Sequence, residues 1–227
     1  MKSYGQFCPV AKAAELFCER WTPLILRDLG AGATRFSELR RGVPLMSPTL
    51  LSKRLRQLEA EGVVERRGSG RAKTYHLTGA GREFVPIVEA LGVWGQHWSR
   101  RDLEEHEIDL GLLLWSMERG VDPGAFGGRR TTVEVSFPDQ PPARRRWWFV
   151  NEGEACEVCL DDPGYEVDLY LTASLADTIR VVRGDLTLPE ALDSGRLEAI
   201  GSSGVTRRLA AWLNLGPLAA IASKREG

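Results

Sequence analysis

Residues 34–77 constrain the fold of this chain more than any other stretch. In order, they contain a short amphipathic segment, a break, a longer basic segment, and two alternating segments joined by glycines. Ser47 is a suitable N-cap, and Pro48 suits the first helical turn because its missing N–H is not needed there. Gly62 is typical of the position just past a helix end. The pattern predicts a helix from residue 48 to about residue 61, preceded by a supporting helix over 36–41 with Phe36 and Leu39 turned inward.

The longer predicted helix has two unlike faces. Leu51, Leu55 and Leu58 recur at helical spacing on one face, with Leu50 at its edge. Hydroxyl and cationic side chains occupy the other face, and such groups reach base edges and phosphate oxygens of DNA. These polar positions are Thr49, Ser52, Lys53 and Arg56. The alternative is that this face is only solvated.

A basic hairpin is predicted directly after this helix. Residues 63–67 and 73–77 alternate like strands, and Gly68-Ser69-Gly70 separates them. This Gly-x-Gly lies between two strands, whereas a nucleotide-binding loop needs a helix after it. The order of helix, turn, basic helix and basic hairpin predicts a winged helix-turn-helix and disfavours the solvated-face alternative. The predicted DNA-contacting residues are Arg35, Ser47, Thr49, Ser52, Lys53, Arg56, Arg66, Arg71 and Lys73.

The N-terminal hundred residues resemble the HxlR-type family of winged helix-turn-helix transcriptional regulators, which are relatives of the MarR type. The resemblance is carried by Cys8-Pro9 and by residues 20–29, 35–41, 51–66, 75–82 and 90–95. It covers a little under half of the chain, which continues for well over a hundred residues. The resemblance implies a homodimeric regulator that binds inverted repeats in double-stranded DNA.

The charge distribution favours two domains. Residues 1–100 contain 16 Lys and Arg against 9 Asp and Glu, a net charge of +7, whereas residues 101–227 contain 14 against 22, a net charge of −8. A basic half suits a polyanion, and an acidic half would be repelled by DNA. We therefore predict a DNA-binding and dimerisation domain over residues 1–101 and a second domain over residues 108–227.

Several other classes of protein and site are disfavoured. No apolar stretch has the length of a signal sequence or a membrane span, so we expect a soluble, cytoplasmic protein with no membrane partner. Cys156 and Cys159 fall on a predicted strand, where residues three apart point to opposite faces. We therefore expect no metal site and no cofactor. The sequence offers no Ser/His/Asp arrangement and no phosphate loop, so an enzyme is not expected either.

Cys8 has two possible roles. It lies beside a proline in the N-terminal arm, where, by the resemblance, some family members carry a cysteine that senses oxidants or electrophiles. A thiol becomes reactive there only if nearby positive charge favours its thiolate. The other interpretation, which we favour, is that Cys8 packs against the dimer helices.

A third predicted helix, over residues 79–101, carries a wide apolar stripe. Phe84, Ile87, Leu91, Trp94 and Trp98 recur at spacings of three and four. Such a stripe is costly to expose, so we interpret it as a dimer interface, with packing against the second half of the chain as the alternative. A two-fold dimer would place its recognition helices about 34 Å apart, and the operator would be a pseudo-palindrome.

The second half reads as an α+β domain. Asp109 can cap a helix through residue 119, and strand-like segments follow at 132–137, 146–150, 155–160 and 165–172. The short turns between these segments favour an antiparallel meander. Helices are predicted at 175–183 and 188–194, then an edge strand at 197–200. A last helix carries Val205, Leu209, Trp212 and Leu213 on one face. An antiparallel sheet with helices at one side defines the α+β class.

Residues 168–174 and 184–197 resemble segments of the sterol-carrier-protein fold, which holds apolar ligands between sheet and helices. The resemblance implies a pocket for an apolar small-molecule effector. The candidate lining residues are Trp115, Trp147, Phe149 and Trp212, which could instead only fill the core. The leading interpretation is a repressor with a ligand-sensing domain. The alternatives are a rigid dimerisation or partner-docking module in this half, or a lipid or small-molecule carrier in which this half holds the main activity.

Overall fold

The computed structural model describes residues 3–224, apart from the side chain of Arg71. The chain divides into two compact units, Met1–Gly95 and Gln96–Gly227. We call them unit 1 and unit 2 and describe each by itself. The division falls after Gly95, earlier than the residue 101 that the sequence suggested as the end of the first domain.

Unit 1 is helical except for one hairpin. Its elements are α1 (Pro9–Phe17), α2 (Thr22–Gly30), α3 (Phe36–Gly42), α4 (Pro48–Ala60), β1 (Val64–Arg67), β2 (Thr74–Leu77) and α5 (Gly79–Trp94). The two strands are antiparallel, with Val64 opposite Leu77 and Arg67 opposite Thr74. The predicted supporting helix is α3, the predicted basic helix, which we call the recognition helix, is α4, and the predicted hairpin is β1–β2. Their bounds are close to those expected.

The long helix after the hairpin differs from its prediction. The sequence suggested one helix over 79–101, but α5 ends at Trp94 and Gly95–Ser99 form a π-helical turn. Gly95 has low helix propensity, which suits a change of backbone geometry at this point. Across residues 3–224, no helix combines the length and the apolar content that crossing a bilayer requires.

Local caps set the ends of α4. The Ser47 hydroxyl accepts a hydrogen bond from the Leu50 backbone N–H at 3.2 Å, as predicted for an N-cap. At the other end, Gly62 adopts a φ of +68°, which favours glycine. The rotational setting of α4 between these caps decides which side chains face the core.

The core of unit 1 contains the predicted leucine face of α4. Leu51, Leu55 and Leu58 are all buried, together with Leu39 of α3. Phe36 is only half-buried, so the prediction that it turns inward with Leu39 is half right. Burying these leucines leaves the opposite face of α4 toward solvent.

Unit 2 combines one sheet with several helices. Its elements are α6 (Leu110–Gly120), β3 (Thr131–Ser136), β4 (Arg146–Glu152), β5 (Ala155–Cys159), β6 (Leu169–Ala173), α7 (Leu175–Arg183), α8 (Leu188–Asp193), β7 (Leu197–Gly201), α9 (Ser203–Thr206) and α10 (Leu209–Leu213). Asp109 caps α6 as predicted, because its carboxylate accepts from the Leu112 N–H at 2.7 Å. Thr187 and Glu190 form the capping box that opens α8.

The strand order β5-β4-β3-β6-β7 corrects the predicted meander. The β3–β4 and β4–β5 pairs are antiparallel, as expected, but β6 lies beside β3 and runs parallel to it, with Val133 opposite Leu169. Asp168 explains the placement. Its backbone N–H donates to the Thr132 carbonyl at 2.9 Å, and its carboxylate accepts from the Thr132 N–H at 3.0 Å. These bonds fix the start of β6 against β3, and β7 forms the predicted edge strand.

The core of unit 2 lies between the sheet and its helices. Val133, Val135 and Phe137 share the buried face, as predicted, together with side chains from α6, α7, α8 and α10. The predicted last helix is two short ones, α9 and α10. Unit 2 therefore has the predicted α+β composition, with an antiparallel sheet that contains one parallel pair.

Trp212 closes this core. It is fully buried, its ring meets that of Phe149 edge-on at 5.6 Å, and its Nε1 donates to Asn151 Oδ1 at 2.8 Å. Trp212→Ala should lower the free energy of unfolding of unit 2 by about 3–5 kcal/mol, because it leaves a cavity. Urea unfolding followed by circular dichroism measures the change. Tyr170→Ala, at an exposed position of β6 in the same unit, should change the free energy of unfolding by less than about 0.5 kcal/mol. Equal losses in both variants would contradict this packing.

Candidate nucleic-acid interface

The outer face of α4 carries the predicted polar side chains. Thr49, Lys53 and Arg56 are exposed and Ser52 is half-buried. Arg56 Nε donates to the Ser52 carbonyl at 3.3 Å, one turn back along the helix. Within the part of the chain that the structure describes, neither Lys53 nor Arg56 forms an ion pair. Both cations therefore remain available to an anionic partner.

A cleft of about 750 Å³ runs between α3, α4 and the hairpin. It brings together three of the predicted contact residues, Arg35, Ser52 and Lys73. The hairpin is held beside α3 because the Tyr75 N–H donates to the Thr34 carbonyl at 2.8 Å. Cations on both sides of a groove suit the passage of a phosphate backbone.

Two arginines of the β1–β2 hairpin, which forms the wing, make ion pairs that the sequence analysis did not predict. Arg66 Nε lies 3.4 Å from Glu59 Oε1, and Arg67 Nη2 lies 2.5 Å from Glu65 Oε1. Surface ion pairs of this kind contribute at most about 1 kcal/mol, so phosphate can replace either carboxylate. The side chain of Arg71, also predicted to contact DNA, lies outside the described residues.

Arg54 is a residue that the sequence reasoning missed. Its side chain is only 7% exposed, and its Nη2 bonds Glu19 Oε2 at 2.8 Å while its Nη1 bonds Gln57 Oε1 at 2.7 Å. Glu19 lies in the turn between α1 and α2, where its carbonyl accepts from the Thr22 N–H. Arg54 follows Leu51 by three residues, so helical spacing alone could have placed it on the inner face. It ties the recognition helix to the α1–α2 turn.

The predicted dimer stripe is largely exposed. Ile87 and Trp94 are 51% and 56% exposed, and Leu91 and Trp98 are also exposed. Phe84 differs, because it is half-buried and stacks on Phe17 with ring centroids 5.5 Å apart. Trp98 lies beyond the end of α5, in the π-helical turn, so the exposed row on α5 itself consists of Ile87, Leu91 and Trp94. Large apolar side chains exposed along one helix are typical of an interaction surface.

The four aromatic residues predicted to line a ligand pocket lie in or near the core of unit 2. Phe149 and Trp212 pack on each other, and Trp115 is buried with the Arg119 guanidinium 4.7 Å from its ring. Trp147 is half-buried and donates to the Arg144 carbonyl at 2.9 Å. This packing is what the core-filling alternative predicts, and the ligand role of these residues stays a prediction.

The cysteines have distinct environments. Cys8 is half-buried at the N-cap position of α1, and its redox role stays a prediction. Cys156 packs against the core, whereas Cys159 lies opposite Trp148 in the strand register, consistent with the predicted opposite faces. Burial raises the pKa of Cys156 to about 12, so its thiol stays protonated at neutral pH. In residues 3–224, no three His, Cys, Asp or Glu side chains gather as metal ligands would.

A supporting helix, a turn, a cationic recognition helix and a hairpin wing together define a winged helix-turn-helix DNA-binding protein. The family model described as HxlR-like helix-turn-helix matches residues 16–103. YvaP, an HTH-type transcriptional regulator of Bacillus subtilis, is 36% identical over 98 residues, which cover 41% of this chain and 91% of YvaP. An HTH-type regulator of Synechocystis is 33% identical over 112 residues, covering 48% of this chain and 80% of that protein. The chain belongs to the HxlR-like helix-turn-helix family of transcriptional regulators.

Solved structures show the same partial coverage. Reduced YodB from Bacillus subtilis is 29% identical, with a TM-score of 0.35, and the match covers 40% of this chain and 93% of YodB. The redox regulator HypR in its reduced form is 32% identical, with a TM-score of 0.37, covering 39% of this chain and 90% of HypR. These matches each cover less than half of the present chain.

Arg54 offers a test of how α4 is held. Arg54→Ala should destabilise unit 1 by about 1.5–3 kcal/mol, because it removes the charge-assisted hydrogen bonds of a buried guanidinium to Glu19 and Gln57. Arg56→Ala, on the outer face of the same helix, is the matched control and should cost less than about 0.5 kcal/mol. Thermal unfolding by circular dichroism compares the two. Similar melting temperatures for both variants would show that the Arg54–Glu19 pair does not fix the helix.

Proposed function

We propose that this regulator is a homodimeric repressor that binds a pseudo-palindromic operator and responds to an apolar small molecule bound by unit 2. The observation that carries the proposal is the unpaired cationic face of α4 beside the cleft lined by Arg35, Ser52 and Lys73. Repression is the simplest regulatory outcome, because a repressor only has to occupy an operator that overlaps a promoter. An activator must also contact the transcription machinery.

The contacts divide by the chemistry of each side chain. Arg56 and Lys53 suit guanine O6 and N7 in the major groove, and the hydroxyls of Thr49 and Ser52 suit either bases or phosphates. Ser47 is at the start of α4, where backbone N–H groups also favour phosphate. The wing cations Lys73, Arg66 and Arg71, together with Arg35, would contact the backbone or minor groove.

The homodimer is supported by the exposed stripe on α5. Leu91 and Trp94 would be buried by a second copy of the chain, and burying large apolar side chains contributes about 1.5–3 kcal/mol each. A two-fold axis would present two copies of α4 about 34 Å apart, which matches one turn of DNA.

The effector role is supported by the layered fold of unit 2 and by its resemblance to the sterol-carrier-protein fold. A ligand changes DNA affinity only if it binds one arrangement of the dimer more tightly than another. Regulation therefore requires a ligand site in unit 2, and occupancy of that site must alter the residues that connect unit 2 to unit 1 along the chain.

Two substitutions separate base reading from phosphate contact. With an operator found by genomic footprinting of the purified protein, Arg56→Ala should weaken operator binding by about 1–3 kcal/mol and relax specificity at one position. Lys73→Ala should weaken binding to all sequences alike. Fluorescence anisotropy on operator and scrambled DNA measures both effects, with the exposed Arg207→Ala in unit 2 as a control. If Arg56→Ala leaves operator affinity and specificity unchanged, α4 does not read the operator as proposed.

A charged substitution in the exposed apolar stripe of α5 tests the proposed dimer interface. Leu91→Asp should shift the protein from dimer to monomer, because the carboxylate would be desolvated at the interface. Leu160→Asp is a matched control, since Leu160 in unit 2 is 47% exposed against 46% for Leu91. Sedimentation velocity at micromolar concentration reports the change. A monomeric wild type, or a Leu91→Asp variant that remains dimeric, would contradict the proposed interface.

A further inference from the structure

Unit 2 contains two adjoining cavities of opposite character. One is mainly apolar and lies between α6, α7 and the segment that precedes α6. Half of the described residues that line the other are arginines. Leu103 lines both cavities, so they adjoin at this side chain.

The apolar cavity has a volume of about 290 Å³. Its apolar lining consists of Leu103, Leu112, Leu113, Ile179 and Val182. The described residues that line it come from helices and the connecting segment, and none comes from a strand. The cavity is therefore distinct from the space between sheet and helices that the sterol-carrier resemblance implies. At roughly 30 Å³ per small group, it has room for a tail of about ten carbon atoms.

The second cavity, of about 490 Å³, carries excess positive charge. Four guanidinium groups, from Arg100, Arg101, Arg180 and Arg196, line it together with two carboxylates, from Asp102 and Asp185. Arg100 pairs with Asp185, and Arg180 pairs with Asp177 at 2.8 Å. Within the described residues, the side chains of Arg101 and Arg196 form no ion pair, and both are exposed. Two guanidinium groups therefore remain available to an anion.

The two cavities differ in charge, because two carboxylates, those of Glu107 and Asp109, line the apolar one. Asp109 is held as the cap of α6, and Glu107 accepts from the Glu104 N–H at 3.0 Å. Arg183 also lines this end and lies 3.9 Å from Glu107, so among the described residues two carboxylates face one guanidinium here, whereas four guanidinium groups face two carboxylates at the other end. An anionic head is therefore favoured at the arginine end. A cationic head would be favoured at the end with the carboxylates. Among anionic heads, a carboxylate suits the arginine end because guanidinium groups bind carboxylates through paired hydrogen bonds.

We propose that the two cavities together bind an amphipathic carboxylate, with its apolar tail between α6 and α7 and its carboxylate between Arg101 and Arg196. This inference deepens the proposed effector role of unit 2 and rests on it. The site involves the connecting segment directly, because Arg183 of α7 donates to the Arg101 carbonyl at 2.9 Å. A bound carboxylate would fasten Arg101, close to the end of the π-helical turn, to Arg196 at the start of β7.

Calorimetry with the full chain tests the site, using decanoate as the probe and decylamine, which has the same tail length, as its cationic counterpart. Decanoate should bind at least about tenfold more tightly than decylamine. Arg101→Gln and Arg196→Gln should each weaken decanoate binding by about tenfold, through the loss of a charge-assisted hydrogen bond. Val182→Trp should weaken it by filling the apolar cavity. The exposed Arg207→Gln, also in unit 2, should leave decanoate affinity unchanged.

Three results would overturn the site: no decanoate binding, equal or tighter binding of decylamine, or unchanged decanoate affinity in both arginine variants. DNA affinity measured without decanoate tests the proposed function separately. If the wild type binds operator but not decanoate, only the proposed carboxylate site is refuted. If the wild type does not bind DNA, the proposed function is refuted. Melting temperatures of the exposed arginine variants should match that of wild type, which shows that a loss of binding is not a loss of fold.

Discussion

The burial of Leu51, Leu55 and Leu58 is the constraint on which the DNA-binding surface depends. A helix has one rotational setting that buries three side chains at this spacing, and that setting turns residues 49, 52, 53 and 56 outward. Each buried leucine contributes about 1.5–3 kcal/mol, several times the energy of any surface ion pair on the same helix. The apolar face therefore decides the direction of the polar one.

Arg54 adds a polar constraint to the same inner face. Its bonds to Glu19 and Gln57 place a charge among buried leucines, and a buried charge is tolerated only with partners at close range. The pair joins α4 to the turn between α1 and α2, so the recognition helix is held at a second point. The proposed dimer surface on α5 belongs to the same unit, so a fixed distance between the two copies of α4 in the dimer is consistent with this packing.

Local signals predicted most of unit 1 and the helices of unit 2. The Ser47 cap, the Gly62 end and the Thr187–Glu190 capping box each depend on a few neighbouring residues, and the structure confirms all three. The predicted antiparallel meander was wrong for β6. The parallel pairing of β6 with β3 depends on bonds between Asp168 and Thr132, which are far apart in sequence. The bond from Arg54 to Glu19, 35 residues away, was missed for the same reason. Aromatic character alone left Trp212 and Phe149 open as pocket or core residues; both lie in the core of unit 2, and their ligand role stays a prediction.

The central claim, that the outer face of α4 contacts DNA, is tested most directly by the salt dependence of DNA affinity. For a dimer that touches six to ten phosphates, affinity should fall by about 10³–10⁵ between 50 and 200 mM salt. A variant with both Lys53→Gln and Arg56→Gln removes four cations from the dimer. Its DNA affinity should be lower than that of wild type, and the slope of log affinity against log salt should fall by about 0.9 for each of these side chains that neutralises a phosphate. Identical affinities and identical slopes for wild type and variant would contradict the claim.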